Sequence, residues 1–248
     1  MPGIDSNTKL MLHMDGADGS TTFTDSSASA HTVTANGNAQ VDTAQSKFGG
    51  ACGLFDGTDD FLSVPDHADW DFGTGDFTVD FWVRFSSVVD NRTLFALGQA
   101  GSTGGINISW YPSGTSVLQC EFSSSSFFTQ NWTPTANTWY HIALVRTSGQ
   151  VRLFVDGTKL GADFAEATNL SVTTGIKIGC NQSNVEDFAG WIDELRVSNA
   201  ARWTADFTPP TEAYTTTSIK TWNGLTYSSV KTLNGLAVAN VKNINGLA

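Results

Sequence analysis

Residues 76–85 read DFTVDFWVRF, and in this stretch apolar and polar side chains alternate with a period of two. Successive side chains of a β-strand point to opposite faces, so the alternation predicts a strand with two different faces. The apolar face consists of Phe77, Val79, Phe81, Val83 and Phe85. The other face carries Asp76, Asp80 and Arg84, with Trp82 among them. Trp82 either packs under a second layer of chain or lines a groove, and burial is the more frequent position for so large a ring.

Further stretches of the chain repeat this alternation. Short strands separated by clusters of Gly, Asn, Asp and Ser are typical of an antiparallel sandwich or jelly roll. The glycine-containing segment 147–150 joins two of the strands and predicts a β-hairpin. The sequence therefore predicts an all-β, antiparallel two-sheet fold. The stretches are GINISWY (105–111), SVLQCEF (116–122), WYHIALVR (139–146), QVRLFVDG (150–157), GIKIGC (175–180) and GWIDELRVS (190–198).

Composition excludes several classes of protein. The 248 residues carry a formal charge of -11, which argues against nucleic-acid binding because such surfaces need clustered Lys and Arg. Residues 1–16 lack the features of a secretion signal, and no run of eighteen apolar residues follows, so no membrane insertion is predicted. Cys52, Cys120 and Cys180 are predicted to be buried free thiols, although one pair could bridge in an oxidising medium.

Several motifs resemble, in the same order, the laminin-G-like, concanavalin A-like lectin/glucanase jelly roll. The resemblance extends from residue 9 to about residue 210. It implies two curved antiparallel sheets of about fourteen strands and, in most members, glycan or protein binding without catalysis. The motifs are LMLHMDG (10–16), FGGACGLFDG (48–57), the stretch from FDGTDDFLSV to DFTVDFWVRF (55–85), NTWYHIALVRTSGQVRLFVDGTKLG (137–161) and IKIGCNQSNVEDFAGWIDELRVSNAARW (176–203).

The sequence offers no catalytic constellation. Related glycosidases carry two glutamates flanking an aspartate on one strand, and glycoside hydrolysis needs two carboxylates facing each other across the bond. No such run occurs; Glu121, Glu166, Glu186, Glu194 and Glu212 are isolated along the chain. In WIDELRV, Asp193 and Glu194 are expected to point to opposite faces of the strand. The protein is therefore predicted not to be an enzyme.

Histidine and aspartate side chains are the residues of this sequence that could bind a metal ion. His13, His31, His67 and His141 lie far apart without a zinc-ligand spacing, so no zinc site is predicted. Laminin-G-like jelly rolls often hold one Ca²⁺, and that resemblance implies a structural ion. Acidic residues in turns also commonly cap backbone amides, so the alternative is that no ion binds. The candidate ligands are Asp25 and Asp193, with Asp15 and Asp56 as weaker candidates.

Glycan recognition needs an exposed aromatic face beside amide or carboxyl groups that bind sugar hydroxyls. Trp110 and Tyr111 end a strand before a Pro-Ser-Gly turn. Phe128 and Trp132 lie in a second loop region rich in aromatic and serine residues. These four residues are the predicted carbohydrate-binding site, although aromatic residues near loops also commonly close the end of a sandwich.

Residues 1–206 are predicted to form the jelly roll, 207–218 a Pro/Thr-rich linker, and 219–248 a tail of three 11-residue repeats. Each repeat contains Asn-Gly, a strong signal for a hairpin turn, yet hairpins this small are not stable alone. The tail is therefore predicted to dock on a partner. Its candidate assembly residues are Ile219, Trp222, Asn223, Gly224, Leu225, Val230, Asn234, Gly235, Leu236, Val241, Asn245, Gly246 and Leu247.

The repeats also resemble the tails of structural proteins from tailed bacteriophages. With a lectin-like jelly roll, this implies a virion surface protein: a decoration, fibre or tail adhesin that binds host-surface glycans. Residues 219–248 would attach it to other virion proteins or sibling chains, as a homo-oligomer in the particle. Two alternatives remain open: a carbohydrate-binding module of a bacterial extracellular protein, and a structural particle protein without ligand.

Overall fold

The computed structural model describes residues 3–98, 104–112, 114–123 and 126–216, together with four two-residue strands near the C-terminus. The chain divides into two compact units, Met1–Thr215 and Thr216–Ala248. Within the described residues, no helix has the length and apolar character needed to cross a membrane.

The first unit is built almost entirely from β-strands. Its described residues contain fifteen strands and one 3₁₀ helix, Ala68–Trp70. The strands are β1 (Thr8–Leu12), β2 (Thr34–Asn36), β3 (Gln40–Asp42), β4 (Cys52–Asp56), β5 (Phe61–Val64), β6 (Phe77–Phe85), β7 (Arg92–Leu97), β8 (Ile106–Tyr111), β9 (Val117–Ser123), β10 (Ser126–Asn131), β11 (Trp139–Thr147), β12 (Gln150–Val155), β13 (Thr158–Ala165), β14 (Ile176–Ile178) and β15 (Ala189–Ser198).

These strands form two antiparallel sheets. The eight-stranded sheet has the order β13-β12-β11-β6-β15-β4-β3, and β1 also pairs with β15. The seven-stranded sheet has the order β10-β9-β8-β7-β14-β5-β2. Neighbouring strands are often distant in sequence, as expected of a jelly roll. The predicted antiparallel two-sheet jelly roll is confirmed.

One hydrophobic core lies between the sheets. The apolar face of β6 is fully buried, as its alternation predicts: Phe77, Val79, Phe81, Val83 and Phe85 are each 0% exposed. The seven-stranded sheet contributes Ile108 and Trp110 of β8 and Cys120 of β9 to the same cluster. Burying one such large apolar side chain contributes about 1.5–3 kcal/mol. The core therefore explains why the two sheets stay together.

A second layer covers the outer face of the eight-stranded sheet. The rings of Trp203 and Phe207 stack with centroids 4.0 Å apart, and both contact the His141 ring of β11. The Phe207 backbone N–H donates to the Gly157 carbonyl at 2.9 Å. The beginning of the predicted 207–218 linker thus packs on the sandwich, because the Phe207 ring contacts Phe154 and Trp203.

Trp82 lies on this outer face and is covered as well. Its side chain is 5% exposed, and the Lys47 ammonium lies 3.7 Å from the ring centroid. The Phe48 ring meets it edge-on at 6.0 Å. Trp82 is thus buried under another segment of chain, the more frequent of its two expected positions.

Two local predictions are confirmed. The 147–150 segment forms a hairpin in which Thr147 pairs with Gln150. Ser148 and Gly149 both have positive φ, 51° and 70°, which is the backbone conformation of a two-residue hairpin turn. The three predicted free thiols are free and buried: Cys52, Cys120 and Cys180.

The second unit contains two described strand pairs. Thr221–Trp222 pairs with Leu225–Thr226, and Thr232–Leu233 pairs with Leu236–Ala237, both antiparallel. The predicted assembly residues Trp222, Leu225 and Leu236 lie in these strands. The other predicted tail residues lie outside the described residues: Ile219, Asn223, Gly224, Val230, Asn234, Gly235, Val241, Asn245, Gly246 and Leu247.

Candidate functional site

A polar pocket lies on the outer face of the seven-stranded sheet. Alternation along β8 and β9 turns their even-numbered residues into the core and Asn107, Tyr111 and Glu121 outward. The loop after β14 closes the other side of the pocket with Asn181, Gln182, Ser183 and Glu186. Polar side chains are thus concentrated on this face without a role in the core.

Glu186 is held in the pocket by several donors. Its Oε2 accepts hydrogen bonds from Thr93 Oγ1 at 2.9 Å, Tyr111 Oη at 3.3 Å and Asn181 Nδ2 at 3.5 Å. The Thr93 backbone N–H donates to the Glu186 carbonyl at 2.8 Å. Asn181 Oδ1 accepts the Ser183 backbone N–H at 2.9 Å, which shapes the turn of the loop. The carboxylate therefore has a fixed orientation.

The pocket also contains two groups with a raised pKa and one buried acceptor without a partner. Burial raises the pKa of Glu121, and the nearby charge of Glu186 adds to the increase, against a hydrogen bond from Asn107. Burial raises the pKa of Tyr111 to about 12. Asn107 Oδ1 is buried and has no hydrogen-bond partner within the protein. Buried acceptors normally have partners, so this amide oxygen is available to a donor on a ligand.

The structure separates the four predicted glycan-binding aromatics. Trp110 is 1% exposed and packs edge-on against Phe85 at 5.7 Å, and Phe128 is 4% exposed. Neither ring offers a face to a sugar, so these two predictions are wrong. Trp132 is half-buried against the Phe85 ring at 6.0 Å. Tyr111 alone of the four lines the polar pocket.

The strand alternation explains this outcome. In GINISWY, Trp110 has the parity of Ile106 and Ile108 and therefore points into the core. Tyr111 has the parity of Asn107 and Ser109 and points outward. The period-2 alternation that predicts the strand therefore assigns Trp110 and Tyr111 to opposite faces of the sheet.

A second polar site lies where β15 meets the N-terminal segment, and it contains two of the predicted calcium ligands. Asp193 is 0% exposed, and its Oδ2 accepts the backbone N–H groups of Lys47 at 2.8 Å and Phe48 at 3.0 Å. Its Oδ1 is buried without a partner. Burial raises the pKa of Asp193 to about 7, and the charges of Glu194 and Asp15 add to the increase.

A β-bulge places Glu194 beside this site. Pairing of β15 with β6 shifts between Asp193 and Arg196, and Glu194 has a left-handed backbone with φ of 51°. Its Oε1 lies 2.6 Å from His13 Nδ1, and its Oε2 accepts the Tyr214 backbone N–H at 2.7 Å. Glu194 therefore influences the pKa of Asp193, although a regular strand would turn the two side chains apart.

Asp15 completes the acidic site. Burial raises its pKa, the His13 charge lowers it, and the Glu194 charge raises it further. Gly49 lies against the Asp15 carboxylate, where any Cβ would clash, and its φ of 65° also favours glycine. The site thus brings these carboxylates near enough to shift one another's pKa, and it leaves one buried oxygen of Asp193 without a partner.

The other two candidate calcium ligands accept hydrogen bonds from loop groups. Asp25 Oδ1 accepts the backbone N–H groups of Met11 at 2.9 Å and Ser27 at 2.8 Å. Its Oδ2 accepts the Ser27 hydroxyl and the His31 backbone N–H, both at 2.8 Å. Asp56 Oδ1 accepts the Thr58 backbone N–H at 2.8 Å on the surface. Asp25 and Asp56 therefore shape loops, and their assignment as calcium ligands stays a prediction.

An antiparallel two-sheet jelly roll of this kind is an architecture of lectin domains. The chain belongs to the concanavalin A-like lectin/glucanases superfamily, whose family model matches residues 56–206. The resemblance derived from the sequence motifs is thereby confirmed for the jelly roll. No curated protein matches the sequence significantly.

Solved structures share the fold at low sequence identity. Domain 4 of AbnA, a GH43 extracellular arabinanase from Geobacillus stearothermophilus in complex with arabinotriose, is 21% identical with a TM-score of 0.57, over 79% of this chain and 93% of that one. The binding domain of botulinum neurotoxin DC in complex with SialylT is 15% identical with a TM-score of 0.57, over 79% of this chain and 48% of that one. The chain thus spans about half the length of the toxin domain.

Proposed function

We propose that the protein is a non-enzymatic virion surface protein of a bacteriophage, whose jelly roll binds host-surface glycans. The observation that carries glycan binding is the polar pocket around Tyr111, Asn107 and Glu186. It offers a phenol, carboxylates and an amide oxygen without a partner, which are groups suited to sugar hydroxyls. The similar structures with arabinotriose and SialylT support a glycan as the ligand class.

The tail supports attachment to a particle. Two of its repeats form strand pairs of only two residues per strand, and such pairs bury too little to be stable alone. A partner surface, either another virion protein or a sibling chain, would supply the missing contacts. The resemblance of the repeats to tails of bacteriophage structural proteins is the reason for placing that surface on a virion, in a homo-oligomeric assembly.

A second candidate function is a carbohydrate-binding module of a bacterial extracellular protein. The likeness to domain 4 of an extracellular arabinanase, 93% of which is covered, favours this alternative. Both candidates share the glycan pocket and differ in the role of the tail. A module would bind glycans as a monomer, with or without residues 219–248.

Variants of the pocket test the glycan site. Tyr111→Ala and Glu186→Gln are each expected to weaken binding to the best glycan found on an array by roughly tenfold, about 1.4 kcal/mol. The exposed Thr129 of β10 provides a control, and Thr129→Ala should bind as the wild type does. Equal affinity of all three variants would place the glycan elsewhere. Release of reducing sugar by the wild type, lost in Glu186→Gln, would contradict the non-enzymatic assignment.

Deletion of residues 219–248 tests the tail. The truncated chain is expected to keep its thermal unfolding midpoint and its glycan affinity, because the jelly roll is a separate compact unit. It should lose incorporation into particles and any self-association that light scattering detects in the full chain. Unchanged mass and incorporation would argue for the module in an extracellular protein.

A further inference from the structure

Two histidines and an aspartate meet near the 3₁₀ helix, remote in sequence from the residues of the two sites above. His31 Nε2 lies 3.0 Å from Asp69 Oδ2, and His67 Nδ1 lies 3.4 Å from the same oxygen. One ligand atom from each of the three residues falls within 4.8 Å of the others. The sequence spacing gives no hint of this cluster, because the loop before β2 and the segment after β5 supply its members.

The surrounding chain holds the cluster in place. Asp25 fixes the loop by accepting the His31 backbone N–H at 2.8 Å. The His31 ring packs on Trp70, which is fully buried, at a centroid distance of 4.7 Å. Ser29 Oγ donates to Asp69 Oδ2 at 2.6 Å and orients the carboxylate. Two of the three side chains thus have their positions set before any ligand arrives.

One ring nitrogen can bind a metal as it stands, whereas the other must first release its proton. His31 Nε2 lies 3.0 Å from Asp69 Oδ2, and because a carboxylate only accepts, Nε2 carries the hydrogen. His67 Nδ1 accepts the Asp69 backbone N–H at 3.1 Å, so it is the unprotonated nitrogen of its ring. A metal would take the place of that backbone bond. Ligands about 2.0–2.1 Å from one metal lie about 3.0–3.4 Å apart, which matches both nitrogen-to-oxygen distances in the cluster. The Lys9 ammonium lies 3.8 Å from the other carboxylate oxygen, Oδ1. A metal at Oδ2 would displace the His31 contact there, beside the hydrogen bond from Ser29 Oγ.

We propose that His31, His67 and Asp69 form a binding site for a borderline divalent metal, with Zn²⁺ as its representative. Two imidazoles and one carboxylate suit Zn²⁺ and disfavour Ca²⁺, which prefers oxygen ligands. The side chain of His67 is 53% exposed, so the fourth position faces solvent and takes a water molecule. The ion would tie the N-terminal loop to the 3₁₀ helix, separately from glycan binding.

Calorimetric titration of the full chain with zinc chloride tests this site. Millimolar Ca²⁺ is included so that a hard cation competes with zinc for the acidic site around Asp193. One zinc ion should bind the wild type, and His67→Gln and Asp69→Asn should each weaken it by at least about tenfold. Zinc should raise the thermal unfolding midpoint of the wild type more than that of either variant. Side-chain nitrogen NMR should show zinc-dependent shifts at His31 Nε2 and His67 Nδ1.

His13→Gln is the matched control, because His13 pairs with Glu194 at the acidic site and is another possible zinc ligand. This variant should bind zinc as the wild type does. Circular dichroism of the exposed His67→Gln variant establishes that loss of binding is not loss of fold. The proposal is overturned when zinc affinity falls in His13→Gln but persists in His67→Gln, or when the wild type binds no zinc at millimolar concentration.

Discussion

Replacing Arg196 by methionine is expected to lower the free energy of unfolding by about 3–5 kcal/mol, because it leaves a buried charge without its counterion. Arg196 and Asp80 are both 0% exposed, with Arg196 Nε donating to Asp80 Oδ1 at 3.0 Å. Tyr214 Oη donates to Asp80 Oδ2 at 2.6 Å, and its ring lies 3.8 Å from the guanidinium. Denaturation with urea, followed by tryptophan fluorescence, measures the loss.

A surface ion pair provides the control for this effect. Arg152 and Asp163 lie on neighbouring strands, and their side chains are 15% and 30% exposed. Arg152→Met is expected to cost at most about 1 kcal/mol, since water solvates the remaining carboxylate. The double variant Asp80→Asn, Arg196→Met should recover part of the lost free energy of unfolding, because it also removes the buried, unpaired charge of Asp80. Similar costs for the two arginine variants would contradict the assigned role of burial.

The same pair makes stability depend on acid. Burial raises the pKa of Asp80, but the Arg196 charge, the nearby His141 side chain and a hydrogen bond from Tyr214 outweigh it, so the pKa is lowered on balance. A lowered pKa in the folded state contributes stability above the unfolded value of about 3.9, and that stability is lost as the pH falls below it. Arg196→Met removes the main cause of this shift. Its penalty should therefore shrink at low pH, where Asp80 is protonated.

The sequence predicted the fold well because the fold depends on local alternation. The face of β6 and the hairpin at Ser148 and Gly149 follow from rules that act over a few residues. The family motifs then identified the topology that alternation leaves open. The end of the jelly roll was less predictable, since Tyr214 lies in a segment rich in Thr and Pro yet contacts Asp80 across the sequence.

The sites were predicted poorly because they assemble from distant segments. Glu121 and Glu186 are isolated along the chain but line one pocket, and no spacing rule connects them. A β-bulge brings Glu194 near Asp193, and bulges leave little trace in a single sequence. Trp110 differs from these two cases, because its parity with Ile106 and Ile108 along the strand indicates a core position.

We propose that the acidic site of Asp193 and Asp15 holds one structural Ca²⁺, and replacing Asp193 by asparagine is expected to weaken Ca²⁺ binding by about 100-fold or more. The buried Oδ1 of Asp193 has no partner, and an ion would supply both a contact and the missing positive charge. Asparagine keeps the shape and the two backbone hydrogen bonds to Oδ2 but removes the charge. Isothermal calorimetry with calcium chloride measures the change in Ca²⁺ affinity. Asp15→Asn should also lower the Ca²⁺ affinity relative to the wild type.

Thermal unfolding separates this proposal from a purely structural role of Asp193. Without Ca²⁺, a carboxylate buried beside Glu194 and Asp15 is costly, so Asp193→Asn should unfold at the same temperature as the wild type or higher. With Ca²⁺, only the wild type should gain stability, in proportion to the bound fraction. Asp56→Asn is the control, because that surface carboxylate caps a turn and should leave Ca²⁺ affinity unchanged. Calcium-dependent stabilisation that survives in Asp193→Asn would place the ion elsewhere, whereas a large loss of stability without Ca²⁺ would make Asp193 a structural residue.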